Sequence, residues 1–215
     1  MPRPRPFIIH RVEHTLTNLF VRAILYITDG LLITGASFLA PIFAIFVEQI
    51  GGGVIEAGTA VTIYSLTAGI GIFVFSRMED KIRDFRHFVV IGYLVASLGY
   101  LIYLFAHNIT ILFIAQFVLG LGTAIRIPAY DVLLSQSAPG HLAVAWGNWN
   151  SLAFLATAVG AFVGALIASI FGFQTLLIIL FFLTVAALSI SLVLLRKHHH
   201  KDFLPQTKQL LEEKN

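Results

Sequence analysis

The chain has 215 residues, of which 58% are hydrophobic and only 12% charged, with a net charge of +3 and no cysteine. A soluble domain carries about 25% charged residues, so this composition leaves too little polar surface to face water and makes the bilayer the expected solvent. Without cysteine there is no disulfide framework, thiol nucleophile or Cys-ligated metal.

The opening Met1-Pro2-Arg3-Pro4-Arg5-Pro6 is basic, but no small-residue cleavage site follows a short apolar run. No cleaved leader is expected, and the first span would act as its own insertion signal. Between Phe7 and Val21, Ile8, Val12, Leu16 and Leu19 recur at helical spacing with Arg11, Glu13 and His14 between them. This stretch reads either as a helix lying in the interface or as an extension of the first span.

A helix needs about 20 apolar residues to cross the hydrocarbon core. Six segments are expected to do so, near 24–47, 54–75, 88–106, 109–134, 142–171 and 173–195. The first carries Asp29, the second Glu56 near its start, and the fourth Arg126 and Asp131; the other three carry no charge. The expected organisation is a cytoplasmic segment over residues 1–21, a six-helix domain over 22–196 and a cytoplasmic tail over 197–215.

Orientation follows from lysine and arginine, which accumulate on the cytoplasmic side. Arg3, Arg5, Arg11 and Arg22 precede the first span, Arg77, Lys81, Arg83 and Arg86 lie between the second and third, and Arg196, Lys197, Lys201, Lys208 and Lys214 follow the last. The opposite loops, Glu48 to Gly53, His107-Asn108 and the turn near Gly172, hold none. Both termini are therefore expected in the cytoplasm, and the protein in the cell membrane.

Spans one and four share a spacing: Asp29, Gly35 and Pro41 in one, Gln116, Gly122 and Pro128 in the other. Each runs polar, five residues, glycine, five residues, proline. They are three spans apart in order, so the three-helix halves they begin run oppositely across the membrane, as in an inverted-topology repeat. Glycine lets a neighbouring backbone approach, and proline removes a helix hydrogen bond.

The chain resembles one half of a major facilitator superfamily transporter. The loop Ser76-Arg77-Met78-Glu79-Asp80-Lys81-Ile82-Arg83-Asp84-Phe85-Arg86 is similar to the family signature of glycine, three residues, Asp-Arg, one residue, Gly-Arg. Ser76 and Arg83 stand in place of its two glycines, and Asp84 in place of the last arginine. Gln116-FVL-Gly120-L-Gly122-TAIRI-Pro128 resembles the family's fourth helix, and Gly160 with Gly164 its glycine-rich fifth.

The resemblance implies an all-α membrane fold of two inverted three-helix repeats, in a family whose usual chain carries twelve spans as two six-helix halves. One half alone would turn the polar side of its cavity to lipid. The expected remedy is a second copy, a parallel homodimer with one shared pathway; a different half-size subunit is the rival. The implied activity is secondary transport of a small solute, with or without protons, by alternating access. A non-transporting membrane subunit is the alternative.

Intramembrane charges default to functional candidates. Asp29 and Arg126 fall on the cytoplasmic halves of two oppositely directed spans, at depths about 5 Å apart by the helix rise. The resemblance packs those spans around the cavity, so the two side chains are expected to meet. Asp29 would then carry a proton and Arg126 hold it ionised or bind an anion. Softer candidates for the pathway are Tyr26, Thr34, Tyr64, Gln116, Asn148 and Trp149, with Trp146 and Asn150 beside them. The resemblance further implies a cytoplasmic gate of Asp131 with Asp80, Arg83 and Arg86.

His198-His199-His200 reads as part of a basic stop at the headgroups, and His10 with His14 finds no third ligand, so no metal is expected. No nucleophile–base set or phosphate loop appears, which argues against an enzyme. Neither a cofactor nor a nucleic-acid partner is expected. The partners foreseen are lipid, a solute and the second copy.

Overall fold

A computed structural model describes residues 6–195, with side chains from residue 17 onward. The side chains of the possible interfacial stretch up to Leu16, the His10–His14 pair and the tail with its histidine run lie outside the described residues. Every regular element among the described residues is helical.

Helix α1 (Pro6–Leu39) runs without a break from the basic segment into the first span. At 1.5 Å per residue its 34 residues reach about 51 Å, well beyond a hydrocarbon core of about 30 Å. Pro41 then interrupts it. The missing N–H leaves a 3₁₀ turn at Ala40–Ile42 before the short helix α2 (Phe43–Gln49).

Helix α3 (Val54–Ile82) begins at Gly53, whose N–H donates to the Glu56 carboxylate at 2.7 Å. It continues seven residues past the apolar run that ends at Phe75, because charged residues are acceptable in a helix that has reached water. It stops at Arg83, which takes φ 56° and ψ 25°. That left-handed conformation suits glycine, and it is the position where the family signature has one.

Helix α4 (Phe85–Leu104) follows at once. Helix α5 (Ile109–Gln136) is capped by the Asn108 carbonyl oxygen, which accepts the Ile111 N–H at 3.0 Å. Pro128 lies inside α5 without ending it. Helix α6 (Leu142–Ser191) is interrupted at Gly172, whose φ of 80° and ψ of 168° are open only to glycine.

Five helical stretches are long and apolar enough to cross a membrane: 17–49, 54–82, 85–104, 109–136 and 142–195. The last holds 54 residues, about 80 Å as one straight rod. The contacts show why it is not one rod. Ala145 meets Tyr26, Gly160 meets Thr34, Gly164 meets Phe38, and Phe173 stacks near Phe46. Beyond Gly172 the order reverses: Leu180 and Leu183 pack on Gly35, and the Leu194 carbonyl accepts from Arg86 on α4. The two arms of α6 thus lie along α1 in opposite directions.

Tight crossings are made by glycines. A Cβ on Gly164 would stand 2.3 Å from the Phe38 Cα, and one on Gly160 2.7 Å from the Thr34 carbonyl oxygen. On the other side of the unit, a Cβ on Gly120 would meet the Tyr64 carbonyl at 2.7 Å, and one on Gly122 the Ala96 nitrogen at 2.8 Å. Such approaches replace the hydrophobic drive that lipid cannot supply between membrane helices. The chain is a multi-pass, all-helical membrane protein.

Candidate functional site

The site forms where α1, α4, α5 and the first arm of α6 converge. Asp29 on α1 is 1% exposed and Arg126 on α5 is 8% exposed. Arg126 donates from Nη1 to the Asp29 carboxylate, forming a buried ion pair. The second carboxylate oxygen accepts the indole N–H of Trp149 at 2.7 Å. Both oxygens of Asp29 are therefore engaged, by two different helices.

Close packing sets Arg126 in place. A Cβ on Gly92 of α4 would fall 2.5 Å from the Arg126 Cβ, so only glycine lets α5 come this near. The guanidinium lies 5.4 Å from the Tyr93 ring centroid and 5.7 Å from that of Tyr130, within cation–π range. Tyr93 donates to the Thr28 hydroxyl at 3.0 Å, and Tyr130 to the Leu25 carbonyl at 3.3 Å. Both phenols thereby return to α1, one beside Asp29 and the other one turn before it.

Trp149 is half-buried; its ring lies 6.3 Å from that of Tyr130 and 5.8 Å from that of Trp146. Trp146 donates to the Ser135 hydroxyl at 3.4 Å. Tyr26 donates to the Ala145 carbonyl at 2.7 Å, which pins the start of α6 to α1.

The sequence-predicted residues divide. Asp29, Arg126 and Trp149 meet in one cluster, and Tyr26 borders it. Thr34 bonds back to the Gly30 carbonyl at 2.7 Å and packs under Gly160. Tyr64 shares a hydrogen bond with Thr123 at 3.1 Å, and buried Gln116 donates to the Tyr103 hydroxyl at 2.9 Å; neither contact touches the ion pair. Asn148 is exposed, and Asn150 donates to the Trp146 carbonyl at 2.9 Å.

Asp131 is half-buried, five residues beyond Arg126 on α5. Of the expected gate residues, Arg83 forms the αL end of α3, Arg86 reaches the Leu194 carbonyl and Asp80 is exposed. Near the gate, His87 Nδ1 lies 2.6 Å from the Asp84 carboxylate.

Sequence reasoning missed Tyr93, Tyr130, Thr28 and Gly92. Span three has no charge, so nothing in its composition drew attention to Tyr93. The available signal was glycine spacing: Gly92 and Gly99 on one helix face mark a close neighbour. Glu79 was also passed over. It is 1% exposed, and neither of its carboxylate oxygens has a hydrogen-bond partner among the described residues.

A family model described as the Major Facilitator Superfamily matches residues 25–213. A curated relative, an uncharacterized MFS-type transporter of Methanocaldococcus jannaschii, is 27% identical over 161 residues. The match covers 73% of this chain and 40% of that relative, so the chain spans less than half of the relative's length. With the family model extending over most of its residues, the chain belongs to the major facilitator superfamily.

Proposed function

We propose that the protein is a secondary active transporter of small solutes in the cytoplasmic membrane, working by alternating access as a parallel homodimer. The observation that carries this reading is the Asp29–Arg126 pair, sealed between two helices in the apolar interior and tied by Trp149 to a third. A buried ion pair is weak as a stabiliser, because desolvation offsets the attraction. It is well suited to a cycle, because neutralising Asp29 ends the ion pair with Arg126 and weakens the bond from Trp149 at the same time. Asp29 takes up and releases the proton, and Arg126 is its counter-charge.

In this reading Gly172 is the turn between spans five and six, giving six spans with both termini on the basic, cytoplasmic side. Packing supports the inverted repeat. Leu183 stands at the same sequence offset from Ala96 as Gly122 does from Gly35, and the contacts Gly35–Leu183 and Gly122–Ala96 correspond. Asp80, Arg83, Arg86 and Asp131 form the cytoplasmic gate.

The homodimer rests on two unpartnered stripes. Gly58, Thr62, Ser65 and Gly69 on α3, and Gly147, Asn148 and Ser151 on the first arm of α6, are exposed. Small polar residues facing outward at membrane depth suit a helix partner better than lipid.

The test begins with a thermal-shift screen of solutes on purified protein. Uptake of the stabilising solute into vesicles is then measured with and without a pH gradient. Asp29→Asn protein is expected to lose the gradient dependence; an unchanged dependence removes Asp29 from proton coupling. Native mass spectrometry that finds only monomer in mild detergent overturns the dimer.

A further inference from the structure

Arg77 stands just past the apolar run of α3 that ends at Phe75, at the water edge of the membrane. An arginine there ordinarily lays its stem along lipid and extends its charge toward water. Arg77 does the opposite. Its guanidinium carbon lies 3.5 Å from the centroid of the Phe73 ring, one turn deeper, and its Nη1 donates to the Phe73 carbonyl. The charge is thereby held at the depth of Phe73, about 6 Å inward of Arg77's own position by the helix rise. Asp80 is exposed three residues further on, and the fold of Arg77 carries its charge away from it.

The surroundings of that charge are apolar and open. Leu66, Ile70, Phe73 and Val74 are all exposed. Ile70, Val74, Arg77 and Lys81 follow one another along a single face of α3, roughly 120° around the helix from the Gly58–Gly69 stripe assigned to the second copy. The face therefore stays open to lipid when the dimer forms. Lys81 is exposed one turn nearer the water. Along this face α3 passes from apolar to basic in the order of a phospholipid, from acyl chain to phosphate to headgroup. A guanidinium carries five N–H donors in a planar fork, and the Phe73 carbonyl takes one of them. The remaining edge matches the paired oxygens of a phosphate.

We infer that this face of α3 holds an anionic phospholipid of the leaflet at the basic end of the helices, its acyl chain along Ile70 and Val74, its phosphate on Arg77 and its headgroup beside Lys81. Phe73 is a positioning residue: its ring and carbonyl hold the guanidinium at phosphate depth. The inference goes beyond the proposed function and stands whether or not the protein transports. A basic side chain at the surface of an anionic leaflet contributes about fivefold to lipid attraction. The held fork of Arg77 adds geometry to that charge, which is what separates a site from a diffuse basic surface.

The probes are phosphatidylglycerol and phosphatidylcholine with the same acyl chains, titrated onto purified full-length protein in detergent and followed as bound copies by native mass spectrometry. Phosphatidylglycerol is expected to bind about fivefold more tightly or better. Arg77→Gln should lose about fivefold of that affinity or more. Phe73→Leu leaves every charge in place and should still lose several-fold, because the guanidinium loses its platform. Arg22→Gln removes one half-exposed charge from the same side of the membrane, on α1, and should change binding less than about twofold. Circular dichroism without lipid checks that each variant is folded; if Arg77→Gln is not, Phe73→Leu carries the test. Equal affinity for the two lipids overturns the inference. So does binding that is unchanged in Phe73→Leu, or a loss in Arg22→Gln as large as that in Arg77→Gln, either of which marks a diffuse basic surface. Displacement of the lipid by millimolar inorganic phosphate also overturns it, because the site would then take a free anion.

Discussion

Gly92 holds the ion pair without touching it. An alanine there would place its Cβ 2.5 Å from the Arg126 Cβ, 2.9 Å from its Cα and 3.0 Å from its nitrogen. Carbon atoms in contact prefer about 3.5–4.0 Å, so α4 and α5 must part by about 1 Å. Two of the three clashing atoms are backbone, which no rotamer change can relieve. Inserting a methyl into a packed interior typically costs about 1–3 kcal/mol. Displacing Arg126 also loosens its hold on Asp29, and Asp29 then loses register with Trp149. Gly92→Ala should therefore melt about 1–3 kcal/mol less stable and show altered tryptophan emission, because one of the two indoles donates to Asp29. Leu94→Ala, exposed on the same helix, should move stability by no more than about 0.5 kcal/mol and leave emission alone. A Gly92→Ala protein that melts and emits like the wild type would show that the close approach does not set Arg126.

Arg83→Gly should stabilise the unit by about 1 kcal/mol in thermal unfolding, because φ 56° strains any residue with a Cβ. Gly164→Val drives side-chain atoms into the Phe38 backbone, which cannot yield; the expected outcome is loss of folded protein on gel filtration, at a cost above about 3 kcal/mol. Glu79 lies past the apolar run, in the charged segment after Phe75. Burial, with Asp80 beside it, pushes its carboxyl from 4.5 up to about 7. A raised carboxyl favours the protonated folded state, so its contribution is lost as pH climbs from 4.5 through about 7. Wild-type stability should fall across that window, and Glu79→Gln should remove the fall; identical pH profiles would show that Glu79 finds a counter-charge.

Much of the architecture was legible because lipid imposes simple rules. The long apolar runs that become membrane-length helices required only counting. The pairing of Asp29 with Arg126 was legible too, since opposite charges at equal depth in hydrocarbon have few alternatives. What stayed hidden depended on where helices cross. Tyr93 looks like any aromatic in an apolar run until Gly92 brings its helix against Arg126. Trp149 read only as one of the softer pathway candidates, and its N–H bond to Asp29 exists because Gly160 and Gly164 press α6 onto α1. Pro41 and Pro128 looked equivalent, yet one ends a helix in a 3₁₀ turn and the other sits inside one. Proline removes a single donor, and its neighbours decide whether the rod breaks.

On the inverted repeat proposed above, scaffold separates from chemistry. Positions the two halves share are packing positions: Gly35 and Gly122 each receive a neighbouring helix, and Ser37 and Ala124, at equivalent sites, each lie under a glycine of the adjoining span, Gly160 and Gly71. The charges sit where the halves differ. Asp29 corresponds to Gln116, which only bridges to Tyr103, and Arg126 corresponds to Leu39, which is buried in the apolar core. Tyr93 corresponds to Leu180, which fills the space above Gly35 with no polar atom. A unit built from two equivalent halves would present the same surface to both sides of the membrane. An acid and a tyrosine in the first half and an arginine in the second, none with a polar or charged match of its own kind in the other, break that equivalence. In the proposed cycle, that asymmetry is what would let a proton or a solute arriving from one side change the balance between otherwise similar packings.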